Sequence, residues 1–153
     1  MNMICLSAIC AAALSPYSEM YGESKSYKLR HSMCLNIALE AQLQGVDPAI
    51  MSAIAYVESG FTNALNKSSG AKGPLQVMTR FWCKDSNCDL IKAGVFAYRS
   101  FSNNKSVMDS LCLYGSGYPC KRSKAGTRYA KKVLNSLTRI TQGSQIACEE
   151  DGC

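Results

Sequence analysis

The sequence predicts an all-α single domain, and three observations carry that prediction. Apolar residues recur at helical spacing in two stretches: Met33, Cys34, Ile37, Ala38 and Ala41, then Tyr129, Ala130, Val133, Leu134, Leu137 and Ile140. Between them, Gly45-Val46-Asp47-Pro48 reads as a helix stop followed at once by a helix start. No stretch alternates apolar and polar residues over the length of a strand, and there is no internal repeat. The 153 residues, 47% of them apolar and 18% charged, supply one sizeable core and exclude a disordered chain.

Taken in order, residues 3–14 form an apolar run of twelve with small residues at Ala11, Ala12 and Ala13. It is too short to span a bilayer and matches the apolar core of a signal segment, although no Lys or Arg precedes it. Ile9 before Cys10 is too large for a lipoprotein box. Residues 1–14 are thus expected to be a signal or hydrophobic segment, and 15–25 a polar connector. The helical domain is expected over 26–140. The polar, Cys-containing tail, 141–153, is expected to lie outside the core.

Within the domain, the first helix starts near Ser26 and places Cys34 on its apolar face as a small buried hydrophobe. Asp47 caps the next helix, Pro48 suits its first turn, and its nearly uniform apolar surface predicts a central, buried position. A Gly/Ser/Asn-rich loop covers 60–73, long enough to suggest function or mobility. Short helices are expected over 74–82 and 107–114. A longer one over 89–101 turns Leu90, Gly94, Val95 and Tyr98 inward.

Nine cysteines point to an oxidising compartment. Cys83 with Cys88, Cys112 with Cys120, and Cys148 with Cys153 each bracket a polar, turn-forming stretch, and local disulfides are the natural reading. Zinc is the rival, but the spacings are not those of short structural zinc pairs and one His is too few for mixed sites. No metal or other cofactor is expected. The net charge of +6 favours an anionic partner, such as nucleic acid, a membrane surface or a wall polymer. The aromatic residues do not interleave with the basic ones as stacking on nucleic acid would require, so nucleic acid is not expected.

One carboxylate stands apart. Glu58 is the only carboxylate or basic side chain between Asp47 and Lys67, at the end of the buried helix and two residues before Gly60. Burial and the negative end of the helix dipole both raise the pKa of an acid placed there. A carboxyl kept partly protonated near neutral pH is what a glycosidic bond needs from a general acid. The bland alternative is a terminal Glu turned to solvent. Cys34 with His31 offers a thiol-imidazole couple, although a lone His at a helix edge is usually structural.

Four segments then line up: Glu58-Ser59-Gly60-Phe61, the stretch from Ser68 through Gly70-Ala71-Lys72-Gly73 to Gln76-Val77-Met78, Leu113-Tyr114-Gly115, and Tyr129. Together they resemble the soluble-type lytic transglycosylase (SLT domain) family of the lysozyme-like superfamily, over roughly residues 27–140. The resemblance implies a lysozyme-like single domain whose central buried helix ends at the catalytic acid, Glu58. It implies substrate contacts at Ser59, Ser68, Gly73, Gln76, Met78, Tyr114 and Tyr129. Four departures stand out: Gly115 where the family usually has Asn, Leu113 where it has a small residue, Pro74 where it has Leu, and Leu75 where it has Met. Gln76 has a plain alternative role, tying the loop to the backbone, and Met78, Tyr114 and Tyr129 that of core residues.

Ordinary glycoside hydrolysis needs two carboxylates. Glu58 has no second acid nearby in sequence, since Asp85, Asp89 and Asp109 lie in other segments. The resemblance implies a course that needs one. Glu58 is acid and then base in cutting the MurNAc-β-1,4-GlcNAc bond of peptidoglycan, with closure of a 1,6-anhydro ring. The rivals are a goose-type-like muramidase hydrolysing the same bond and a non-catalytic wall-binding or structural module. The expected partner is the peptidoglycan strand, with no stable membrane span. The expected setting is extracytoplasmic or phage-borne, in company with a secretion, pilus or phage assembly.

Overall fold

The computed structural model describes Met1 and residues 3–151, and it is mainly helical. Eight α-helices follow in order: α1 (Met3–Ala13), α2 (Ser15–Tyr21), α3 (Lys25–Leu43), α4 (Pro48–Ser59), α5 (Thr79–Trp82), α6 (Leu90–Ser102), α7 (Val107–Ser116) and α8 (Lys124–Asp151). A 3₁₀ turn, Cys120–Arg122, precedes α8. Among the described residues the only β pairing is two isolated bridges, Leu65 with Lys72 and Lys72 with Val77.

Side-chain caps explain most of the starts. Asp47 accepts from the Ala49 amide, with Pro48 beside it in the first turn of α4. Asp89 accepts from the amides of Ile91 and Lys92 at α6. At α7 the Ser106 hydroxyl accepts from the Asp109 amide and donates to the Asp109 carboxylate, so both capping groups are satisfied by one exchange. Gly60 and Gly117 end α4 and α7 in the left-handed conformation.

α4 is the axis of the core. Every residue from Pro48 to Ala55 is buried, and the helix packs against α3, α8 and α1. The apolar stripe of α3 (Cys34, Ile37, Ala38, Ala41) and that of α8 (Ala130, Val133, Ile140) are buried as the 3.6-residue spacing predicts.

The N-terminal run belongs to this core. Leu6, Ile9, Cys10, Ala13 and Leu14 are buried, and α1 packs along α8. A disulfide joins Cys10 to Cys34 across a Cα separation of 5.7 Å, so Cys34 is a cross-link and not simply a small hydrophobe. The Arg139 guanidinium donates to the carbonyl oxygens of Ala12 and Ala13, supplying a cation to the carboxyl end of α1. It also lies over the Tyr56 ring, 4.9 Å from its centroid.

Other boundaries also differ from expectation. The connector contains helix α2. The expected helix over 74–82 is confined to α5, because the Lys72–Val77 bridge and a left-handed Gln76 (φ 50°) hold the preceding residues out of helix. The tail is helical, since α8 runs through it; Ser144 is buried and Gly143 lets Ala12 approach to where a Cβ would be 3.0 Å away, while the apolar core ends at Ile140. The local disulfides Cys83–Cys88 and Cys112–Cys120 are present. The pairing expected of Cys148 falls on Cys153, which lies outside the described residues. No helix is long and apolar enough to cross a membrane among the described residues.

Candidate active site

The site is built where α4 ends. Arg30, one turn before Cys34 on α3, donates to the Gly60 carbonyl at 2.6 Å and so caps the end of α4 with a positive charge. The chain then turns sharply, with Phe61 buried at a positive φ of 63°. Glu58 is left in the last turn, mostly enclosed by its neighbours. Burial raises its pKa from an ordinary 4.5 to about 7, while the Tyr129 hydroxyl pulls weakly the other way.

Tyr129 comes from the second turn of α8. Its hydroxyl is buried and makes no hydrogen bond of normal geometry. The interaction with Glu58 is therefore a loose electrostatic one, which leaves the hydroxyl able to take another partner. Burial, then the Glu58 charge, push the Tyr129 phenol well above its usual range, so it remains a neutral donor.

The ring of Tyr129 reaches Glu58 because residue 115 has no side chain. A Cβ on Gly115 would lie 2.2 Å from Tyr129 Cδ1. The space that a side chain at this position would need is filled by that ring.

Three of the expected substrate residues donate hydrogen bonds to backbone carbonyls of the loop. The Ser59 hydroxyl donates to the Pro74 carbonyl at 2.8 Å and accepts from the Thr62 amide. The Gln76 amide group donates to the carbonyls of Ala64 and Gly73, both at 3.0 Å. The Tyr114 hydroxyl donates to the Leu75 carbonyl at 2.6 Å, and its ring meets Tyr98 edge-on. Together these bonds clamp residues 73–76 against the end of α4. Gly73 serves the same packing, since its φ is 79° and a Cβ would lie 2.9 Å from Leu90 Cδ1.

Met78 is half-buried at the start of α5. Ser68 is exposed at the loop tip, bonded through its hydroxyl to the Asn66 side chain. A cleft of about 540 Å³ lined by Tyr56, Val57, Gly60 and Lys132 flanks the end of α4.

The three acids Asp85, Asp89 and Asp109 have other work. Asp89 caps α6, Asp109 bonds Ser106, and Asp85 accepts from the Asn87 amide. No group of three or more His, Cys, Asp or Glu side chains is placed to hold a metal among the described residues. Cys34, being disulfide-bonded, is not available as a nucleophile for His31. Arg30 has no local sequence signal, because its acceptor is 30 residues away. The chain matches no protein-family model, no curated protein and no solved structure.

Proposed function

We propose that the chain is a peptidoglycan lytic transglycosylase on a lysozyme-like helical domain. One observation carries the proposal: a single enclosed carboxyl, Glu58, is held near pKa 7 beside the buried Tyr129 hydroxyl. A group with that pKa is both a competent acid and a competent base at neutral pH. The protonated Glu58 gives its proton to the oxygen bridging N-acetylmuramic acid and N-acetylglucosamine. The acetamido oxygen of the muramoyl unit attacks C1 as that bond breaks. The Glu58 carboxylate then removes the proton of the 6-hydroxyl, whose oxygen displaces the acetamido oxygen at C1 and closes the anhydro ring. Glu58 ends protonated, and no water is consumed.

The disulfides fit work in an oxidising, extracytoplasmic space. The test is digestion of purified peptidoglycan with product mass spectrometry. Anhydro ends are expected, with a loss of about a thousand-fold in Glu58→Gln. New reducing ends identify the muramidase instead, and wall clearing that survives the substitution identifies a non-catalytic module.

A further inference from the structure

The surplus positive charge of the chain is confined to one stretch. From Ser110 to Cys148 there are seven Lys and Arg residues and no Asp or Glu. The remaining residues hold ten cations against eleven acids, a net charge of −1. Four of the seven, Lys121, Arg122, Lys124 and Arg128, line one cleft of about 460 Å³ beside the 3₁₀ turn. All four are exposed, and the lining contains no carboxylate. None of the four makes an ion pair within the described residues. A solvated basic face needs no ligand, but such faces ordinarily mix both signs, as the rest of this chain does.

The backbone that carries these cations is braced. The Cys112–Cys120 disulfide ties the 3₁₀ turn to α7. The Thr127 hydroxyl shares its proton between the carbonyls of Cys120 and Ser123, at 3.1 and 3.0 Å. The Ser123 hydroxyl accepts from the Gly126 amide at 2.9 Å. Gly126 packs closely on α7, since a Cβ there would lie 2.5 Å from Ser116 Oγ. The Arg122 guanidinium lies over the exposed Tyr118 ring, 5.7 Å from its centroid. Four like charges are thus gathered on a held frame, and an anion in the cleft would offset their repulsion.

The chemistry of the cations selects the anion. A carboxylate brings one charge on two oxygens. A phosphate group brings about two charges on three oxygens, so a single group meets several cations at once. The guanidinium forks of Arg122 and Arg128 match phosphate oxygens in pairs, while Lys121 and Lys124 add point charges. We propose that this cleft is a binding site for a phosphate or diphosphate group, carried by a lipid headgroup or by a soluble molecule. The assignment goes beyond the proposed function and does not depend on Glu58, which is not among the lining residues.

The experiment titrates the full-length chain with inorganic pyrophosphate by calorimetry at low ionic strength. In parallel, phosphatidylglycerol vesicles are compared with phosphatidylcholine vesicles by co-sedimentation. Pyrophosphate should bind saturably at one site. Its Kd should weaken about tenfold or more in Arg122→Gln/Arg128→Gln and in Lys121→Gln/Lys124→Gln, two pairs of exposed positions. Lys25→Gln/Lys28→Gln removes the same charge from exposed positions on α3 and should leave the Kd unchanged. Citrate, a polycarboxylate of comparable charge, should bind about tenfold more weakly than pyrophosphate. Binding of phosphatidylglycerol vesicles that pyrophosphate displaces supports the site and makes a lipid headgroup its source. Pyrophosphate binding without vesicle binding supports the site and makes the source a soluble phosphate. No saturable binding of either probe overturns the proposal. A loss as large in the α3 pair as in the cleft pairs also overturns it, in favour of attraction to net charge alone. Citrate binding as tightly as pyrophosphate overturns the assignment to phosphate.

Discussion

Gly115 and Tyr129 share one volume: a Cβ on the glycine would sit 2.2 Å from Cδ1 of the tyrosine ring. The ring occupies the space beside Glu58 that a side chain at 115 would claim. Gly115→Ala should displace the ring and destabilise the protein by about 1–3 kcal/mol, an overpacking cost read in thermal or denaturant unfolding. Because Tyr129 lowers the Glu58 pKa, displacing it should also move the alkaline limb of glycan cleavage upward. Unchanged stability would mean that the ring has room to turn aside.

Tyr129→Phe separates the hydroxyl from the ring. The lowering influence on Glu58 is lost, so its pKa rises further above the ordinary value. The acid must be protonated to start the reaction, so the alkaline limb of the pH–rate profile, centred near 7 in the wild type, should shift to higher pH. Stability should change by about 1 kcal/mol, the usual net worth of one hydrogen bond, since the ring stays in place.

The raised pKa of Glu58 also makes stability depend on pH. The folded state binds the proton more tightly than the unfolded chain, so there is no penalty below about pH 4.5. The penalty grows as pH rises and is complete above about 7. Glu58→Gln removes it. The variant should exceed the wild type by about 2–3 kcal/mol at pH 8 and match it at pH 4, measured by urea unfolding. A constant difference across that range would mean that Glu58 titrates as a solvated acid.

Cys10→Ser with Cys34→Ser tests the cross-link between α1 and α3. The bridge closes a loop with a sequence separation of 24, so its loss should cost about 3 kcal/mol by the chain-entropy argument. Glycan cleavage by the folded double variant should keep its pH profile, because neither sulfur acts on Glu58. Loss of cleavage in a folded variant would return the thiol-imidazole couple to consideration.

The helical elements were legible where local chemistry decides them. Asp47-Pro48, Asp89 and Gly60 announce helix ends, and the stripes of α3 and α8 announce their buried faces. Glu58 was legible as an acid in an apolar setting, and burial does raise it. Partners distant in sequence were not legible. Cys10 and Cys34 are 24 residues apart, Arg30 and Gly60 30, and Arg139 and Ala12 127. The apolar run at 3–14 has the composition of a signal segment and of a core helix alike, and in the folded chain Leu6, Ile9, Cys10, Ala13 and Leu14 are buried. Ser59, Gln76 and Tyr114 carry polar groups suited to a sugar, yet each has a backbone carbonyl within reach.

The contact of Arg139 with the last turn of α1 has a consequence for biosynthesis. A peptidase cut after residue 14 would remove the carbonyls that this guanidinium holds above Tyr56, two positions before Glu58, and would strip Cys34 of its sulfur partner. Maturation at that point would be a conformational event as much as an export step. The shortened chain would have to repack α3 and α8 without α1, so removal of the first residues would be felt at both Arg139 and Cys34.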